Sequence, residues 1–216
     1  MSEALYINKE LAKMYYLDLK GKLMSGNIPA NIKSIVENLA NVNWQQSIFE
    51  AITNSLHAGA TNVDIKFMSD TLDYNDTENK IDELIIIDNG EGFNKENTQA
   101  FREYGTQHKR EKLKIGAKGI GRFTYLKIFK RVHIESLDKE IKFSVNNDIS
   151  VNYQKGNKYE LTKVYFREPI ETLIVDYEKL KNDIKEHFIA YFKLNSEKII
   201  SINIYENSDK KSTINS

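Results

Sequence analysis

The sequence predicts an α+β protein folded as a two-layer sandwich, and three observations carry that expectation. A helix-like segment with a single apolar stripe, 44–57, leads into two strand-like segments, 63–67 and 84–87. Four further strand-like segments follow in close succession at 130–136, 140–146, 149–154 and 158–167. An amphipathic helix at 177–192 and a strand at 199–204 close the pattern. The meander of strands in the second half favours a sandwich over a doubly wound parallel sheet, which would alternate strand and helix throughout.

Taken in order, residues 1–40 read as a helical N-terminal extension, broken at Ser25-Gly26-Asn27-Ile28-Pro29, and 41–205 as the main domain. In 44–57, Trp44, Ile48, Phe49, Ile52 and Leu56 recur at helical spacing and form one apolar strip. Gly59 is placed to cap that helix. Val63, Ile65 and Phe67 alternate with polar residues, the pattern of a half-buried strand, and 69–80 is a polar loop. The continuous apolar run Leu84-Ile85-Ile86-Ile87 suits a strand covered on both faces. It stops at the turn sequence Asp88-Asn89-Gly90-Glu91-Gly92. Residues 94–118 are polar and charged, with a short helix expected near 98–104, and a second helix is expected over 119–129. Hairpin turns are expected at Asp138-Lys139 and Gly156-Asn157. Residues 206–216 are polar and aperiodic and read as a frayed tail or a truncated linker.

Composition narrows the chemistry. The chain of 216 residues can bury a core without covalent staples, and it has no cysteine, so disulfides, thiolate metal sites and cysteine nucleophiles are excluded. Glu3, Lys9, Glu10 and Lys13 are foreign to a signal peptide, and no apolar run reaches the roughly 20 residues of a membrane span. A cytoplasmic protein is the default expectation. Acidic and basic residues balance at 31 each, so net charge does not point to nucleic acid. A local basic patch nonetheless exists at Lys109, Arg110, Lys112, Lys114 and Lys118.

Three clusters could carry chemistry. On a helical wheel at about 100° per residue, Glu50, Asn54 and His57 fall together, opposite the apolar strip of their helix. A lone Glu-x-x-x-Asn is more often a solvated face than a site. Asp88 ends the apolar strand, and Gly90 and Gly92 let the backbone behind it turn and approach a ligand closely. A carboxylate so placed can accept a hydrogen bond from a base amine, although Asp-Asn-Gly is also a common plain turn. Gly116, Lys118, Gly119, Ile120 and Gly121 open a predicted helix, where free backbone N–H groups and a lysine suit a phosphate. The cluster is neither a P-loop nor a dinucleotide fingerprint.

The order and spacing of the three clusters resemble the motifs of the GHKL superfamily, which holds gyrase, heat-shock chaperones, histidine kinases and MutL. The matching residues are Glu50-x-x-x-Asn54, Asp88-x-Gly90-x-Gly92 and Gly116-x-x-Gly119-x-Gly121. The stretch from Glu50 to Ile65, and Gly105-Thr106-Gln107-His108-Lys109, look like the MutL and chaperone version. Thr162 stands in the place of the family's later strand threonine, although Leu161 replaces the glycine expected before it.

The resemblance implies the Bergerat fold: a mixed, mostly antiparallel sheet with helices on one face. It implies ATP and Mg2+ as ligands, bound under a mobile lid. Glu50 would polarise the attacking water, Asn54 would hold magnesium and Asp88 would read adenine. Gly92 would allow close backbone approach, Gly119 and Gly121 would clamp phosphate, and Thr162 would sit by the adenine. His57 stands where MutL and the chaperones carry aspartate, and reads equally as a phosphate contact or a surface histidine. The expected activity is slow ATP hydrolysis driving a conformational switch. Histidine-kinase phosphotransfer and nucleotide binding without hydrolysis are the alternatives; Glu50 speaks for hydrolysis, since such kinases usually carry Asn there. A nucleotide-dependent homodimer or a following transducer-like domain would complete the site, so the chain is expected to be the N-terminal part of a larger protein or a domain that needs a partner.

Overall fold

The computed structural model describes residues 32–39, 42–69, 80–102, 121–155 and 159–216. Their elements, in chain order, are α1 (Ile32–Asn38), α2 (Trp44–His57), β1 (Asn62–Ser69), β2 (Ile81–Asp88), α3 (Lys95–Arg102) and α4 (Gly121–Thr124). A 3-10 turn (Tyr125–Lys127) precedes β3 (Phe129–Leu137), β4 (Lys139–Ser144), β5 (Asn147–Tyr153) and β6 (Tyr159–Pro169). The chain closes with α5 (Tyr177–Leu194), β7 (Ser201–Glu206) and β8 (Asp209–Asn215).

The strands form one eight-stranded sheet in the order β5-β4-β3-β6-β2-β1-β7-β8. Every pairing is antiparallel except β1 with β7, which α5 makes parallel by carrying the chain back across the sheet. Register puts one apolar row on one face. Phe67 faces Leu84, which faces Phe166, which faces Val132, and Ile65, Ile86, Val164 and Ile134 form the next row. The helices cover this face: Trp44 and Tyr177 set their rings edge-on against Phe67, and Tyr125 against Phe166. The opposite face is more polar and half-buried, with Lys66, Ile85, Ile87, Lys163, Tyr165 and Tyr205 around a shallow pocket. The fold is therefore an α+β two-layer sandwich with a mostly antiparallel sheet, as the sequence predicts.

Helix α2 spans Trp44–His57, the segment its apolar strip predicts. Asn43 caps it, accepting from the Gln46 N–H while its own N–H donates to the Gln46 side chain, a reciprocal capping box. Gly59 follows with φ +78°, a conformation that suits glycine. The buried strip includes Ser47, Ala51 and Ser55 beside Ile48, Ile52 and Leu56, whereas Phe49 lies at its edge, stacked on His187. The strip is wider than the large apolar residues alone suggest.

Three expectations need correction. The packed unit runs from Ile32 to Ser216 rather than over 41–205, because Ile32 and Val36 of α1 enter the common core. Residues 206–216 are not a frayed tail. They pair as β8 along β7, with Ser212 and Ile214 turned inward, since β7 would otherwise present an unpaired edge. The helix expected over 119–129 is, in its described part, one turn of α-helix and one of 3-10 before β3 begins at Phe129. The remainder of the 1–40 extension, the turn at 156–157 and residues 103–120 lie outside the described residues.

Candidate functional site

Asp88 is the last residue of β2, on the face that the helices cover, and it is 4% exposed. Both its oxygens are engaged. The Ser55 hydroxyl donates to Oδ2 at 2.9 Å and the Gly90 N–H donates to Oδ1 at 2.9 Å. Burial pushes the carboxyl above its ordinary value, and these two donors pull part of the way back. Each oxygen retains a second lone pair, so the group remains an acceptor for a third donor.

The turn after Asp88 is tied down on both sides. Asn89 Oδ1 accepts from the N–H groups of Thr61 and Asn62, each at 2.9 Å, joining the turn to the start of β1. The Glu91 N–H donates to the Ala58 carbonyl at 2.9 Å. Gly90 packs so closely that a Cβ on it would lie 2.8 Å from that same carbonyl oxygen. Gly92 has φ +70°, and a Cβ on it would lie 2.5 Å from Ser136 Oγ and 3.3 Å from Thr162 Oγ1. Asn94 then caps α3 by accepting from the Asn97 N–H at 2.8 Å.

Thr162 pairs with Asp88 across the β2–β6 ladder and is buried. Its hydroxyl lies 2.8 Å from Ser136 Oγ, which accepts from the Phe93 N–H at 2.9 Å. Ser136 stands where the β3–β6 register shifts, between Glu135 and Leu137. Asp88, Gly92, Ser136 and Thr162 thus form one continuous polar floor in an otherwise apolar layer.

The second cluster lies on α2. Asn54 Nδ2 donates to Glu50 Oε1 at 3.2 Å and to the Tyr125 hydroxyl at 3.1 Å. Both α2 residues are half-buried, whereas Tyr125 is 4% exposed. Gly121 abuts Glu50: a Cβ on Gly121 would overlap the Glu50 carboxylate. The start of α4 and the acidic side chain therefore share one space. Arg122 is buried, with its guanidinium carbon 5.1 Å from the Phe101 ring centre and 4.6 Å from that of Phe123. Burial lowers its pKa to about 10, with Tyr125 and the Glu50 charge opposing the fall, so it stays a cation at neutral pH. His57 occupies the last turn of α2, half-buried.

Of the residues singled out from the sequence, Glu50, Asn54, Asp88, Gly90, Gly92, Gly121 and Thr162 converge around α2 and the ends of β2 and β6. Gly116, Lys118, Gly119 and Ile120 lie outside the described residues. Sequence reasoning missed Ser55, Tyr125 and Ser136. Ser55 had a readable signal, because it interrupts the apolar strip of α2, where a polar group needs a buried partner. Ser136 continues the inward alternation of Val132 and Ile134. Tyr125 had none.

A family model described as histidine kinase-, DNA gyrase B-, and HSP90-like ATPase matches residues 42–184. The chain belongs to this family of GHKL ATP-binding domains. Among solved structures, it is similar to the Aquifex aeolicus MutL ATPase domain complexed with ADP, at 16% identity and a TM-score of 0.48. That match covers 81% of this chain and 64% of the other, so the chain spans less than two thirds of that protein's length. No curated protein matches the chain. No described helix is long and apolar enough to cross a membrane.

Proposed function

We propose that this domain binds Mg-ATP over the α2–β2 site and hydrolyses it slowly as a conformational switch. One observation carries the reading: adjacent residues of a single helix serve two clusters, Ser55 holding Asp88 and Asn54 bonded to Glu50. A base-reading acid and a water-polarising acid are thereby held at fixed separation by one rigid element.

The residues suit the ligands. Asp88 retains acceptor capacity for the amine of adenine in a largely apolar layer. Gly92 leaves the Ser136 and Thr162 hydroxyls uncovered by any side chain of its own. Among the described residues there is no cluster of three or more acidic or histidine side chains able to hold a metal. Magnesium would therefore take Asn54 from the protein, and complete its octahedron with water and phosphate oxygens. The ion would neutralise phosphate charge. Glu50 would accept a proton from the attacking water. His57, one turn beyond Asn54, would reach toward the phosphates. The lid, a second copy of the chain, or a following domain supplying Lys or Arg belong to the same reading through the family resemblance.

Calorimetric titration with AMP-PNP, paired with phosphate release from ATP, tests it. Binding strengthened by magnesium, with slow turnover, is the expected result. No AMP-PNP binding at millimolar concentration would overturn the nucleotide reading, and binding without turnover would overturn hydrolysis alone.

A further inference from the structure

Tyr125 lies outside all three sequence motifs, yet its hydroxyl reaches Asn54 from another element and accepts from its amide at 3.1 Å. The ring is buried at 4% exposure and held edge-on to Phe166 in β6, with centroids 4.8 Å apart. Its position is thus set by the core, from the side of the sheet. The Asn54 amide nitrogen has two hydrogens, and the structure gives each an acceptor: Glu50 Oε1 and the Tyr125 oxygen. A carboxylate accepts only, which settles that nitrogen, not oxygen, faces Glu50. With nitrogen committed on that side, the amide oxygen points along the opposite branch, and oxygen is the atom a hard cation requires.

We propose that Tyr125 is a positioning residue for the cation subsite, its buried hydroxyl taking the second hydrogen of the Asn54 amide and so holding the amide in the orientation that Glu50 sets. The inference rests on the Mg-ATP reading above. Without the hydroxyl, the amide loses the acceptor that holds its second hydrogen from the side of the core. Burial and the neighbouring Glu50 charge push the phenol's pKa well up, so the hydroxyl stays neutral across any working pH.

Tyr125→Phe keeps the ring against Phe166 and removes only the hydroxyl. AMP-PNP affinity is measured by calorimetry in EDTA and across a magnesium titration, for the parent, Tyr125→Phe, Asn54→Ala and the double variant. Metal-free affinity of Tyr125→Phe should stay within about twofold of the parent, while the magnesium needed for half-maximal enhancement rises about five- to tenfold. Adding Tyr125→Phe to Asn54→Ala should change nothing further, because the tyrosine acts through the amide. An unchanged magnesium requirement in Tyr125→Phe overturns the inference, as does an equal loss of metal-free affinity, which would mark a packing role. Nucleotide binding by the parent without magnesium dependence overturns it too, while leaving ATP binding in place. A parent that does not bind AMP-PNP removes both readings.

Discussion

The Ser55 hydroxyl donates to Asp88 Oδ2 across 2.9 Å, joining the buried strip of α2 to the end of β2, 33 residues later. A buried carboxylate oxygen deprived of its donor costs about 1–3 kcal/mol. Ser55→Ala should therefore lower unfolding stability by that amount in urea and weaken AMP-PNP binding about tenfold, because Asp88 loses its alignment. Unchanged values for both would mean that the bond neither supports the fold nor positions the acid.

Asp88→Asn should separate stability from recognition. The Gly90 N–H can donate only, so the amide oxygen of Asn must face it and the NH2 must face Ser55. The Ser55 hydroxyl can accept that hydrogen, because the Ala51 carbonyl, 3.2 Å away, takes its own proton. The fold is thus satisfied, while the base-reading face gains a donor where an acceptor is needed. AMP-PNP affinity should fall tenfold or more. Stability should respond to pH in a set direction. Burial raises the folded carboxyl above the ordinary 3.8, so the folded chain holds the proton more tightly. Parent stability then falls as pH rises from 3.8 through the folded value, and the cost is fully present above it. Melting curves from about pH 4 to about pH 8 should show Asp88→Asn gaining on the parent through that window and holding a constant lead beyond it.

Glu50→Gln keeps the shape of the side chain and its acceptor oxygen for Asn54 but cannot take a proton from water. AMP-PNP binding should be unaffected, and single-turnover hydrolysis should slow by about 10²–10⁴. Turnover equal to the parent's would remove Glu50 from the chemistry.

Gly92→Ala and Gly121→Ala should fail in different ways. At Gly92 the added Cβ meets Ser136 Oγ, a short side chain already bonded to Thr162 and the Phe93 N–H, in a backbone with φ +70°. Neither neighbour can give way, so a loss of about 1–3 kcal/mol in unfolding stability is expected. At Gly121 the obstacle is the far end of the Glu50 side chain, which can swing aside. That variant should fold as the parent does but hydrolyse ATP at a rate approaching that of Glu50→Gln. Differential scanning calorimetry and the same turnover assay distinguish the two outcomes. A fully stable Gly92→Ala, or a fully active Gly121→Ala, would contradict the packing described.

Much of the fold was legible because its signals are local. The apolar strip of α2 with Gly59 at its end, the alternation of Val63, Ile65 and Phe67, and the apolar run of β2 each report on a residue's immediate neighbours. The missed strand β8 has weak alternation, with Ser212 and Ile214 alone turned inward. It exists because β7 offers an edge to pair with. The short α4 likewise ends early because Phe129 is claimed by the sheet, where it is fully buried against Phe166.

By itself, the sequence determined which residue types are present and roughly where: an acid at a strand end, Glu50 and Asn54 one helical turn apart, and glycines where the chain turns. Those follow from helix and strand periodicity and from backbone sterics, which act over a few residues. Only the tertiary structure decided that Ser55 holds Asp88, that the β3–β6 pairing brings Ser136 to Thr162, and that Tyr125 reaches Asn54 from 71 positions away. Those contacts join different elements, and their geometry depends on the register of the sheet and the seating of α2 on it, which no local pattern encodes.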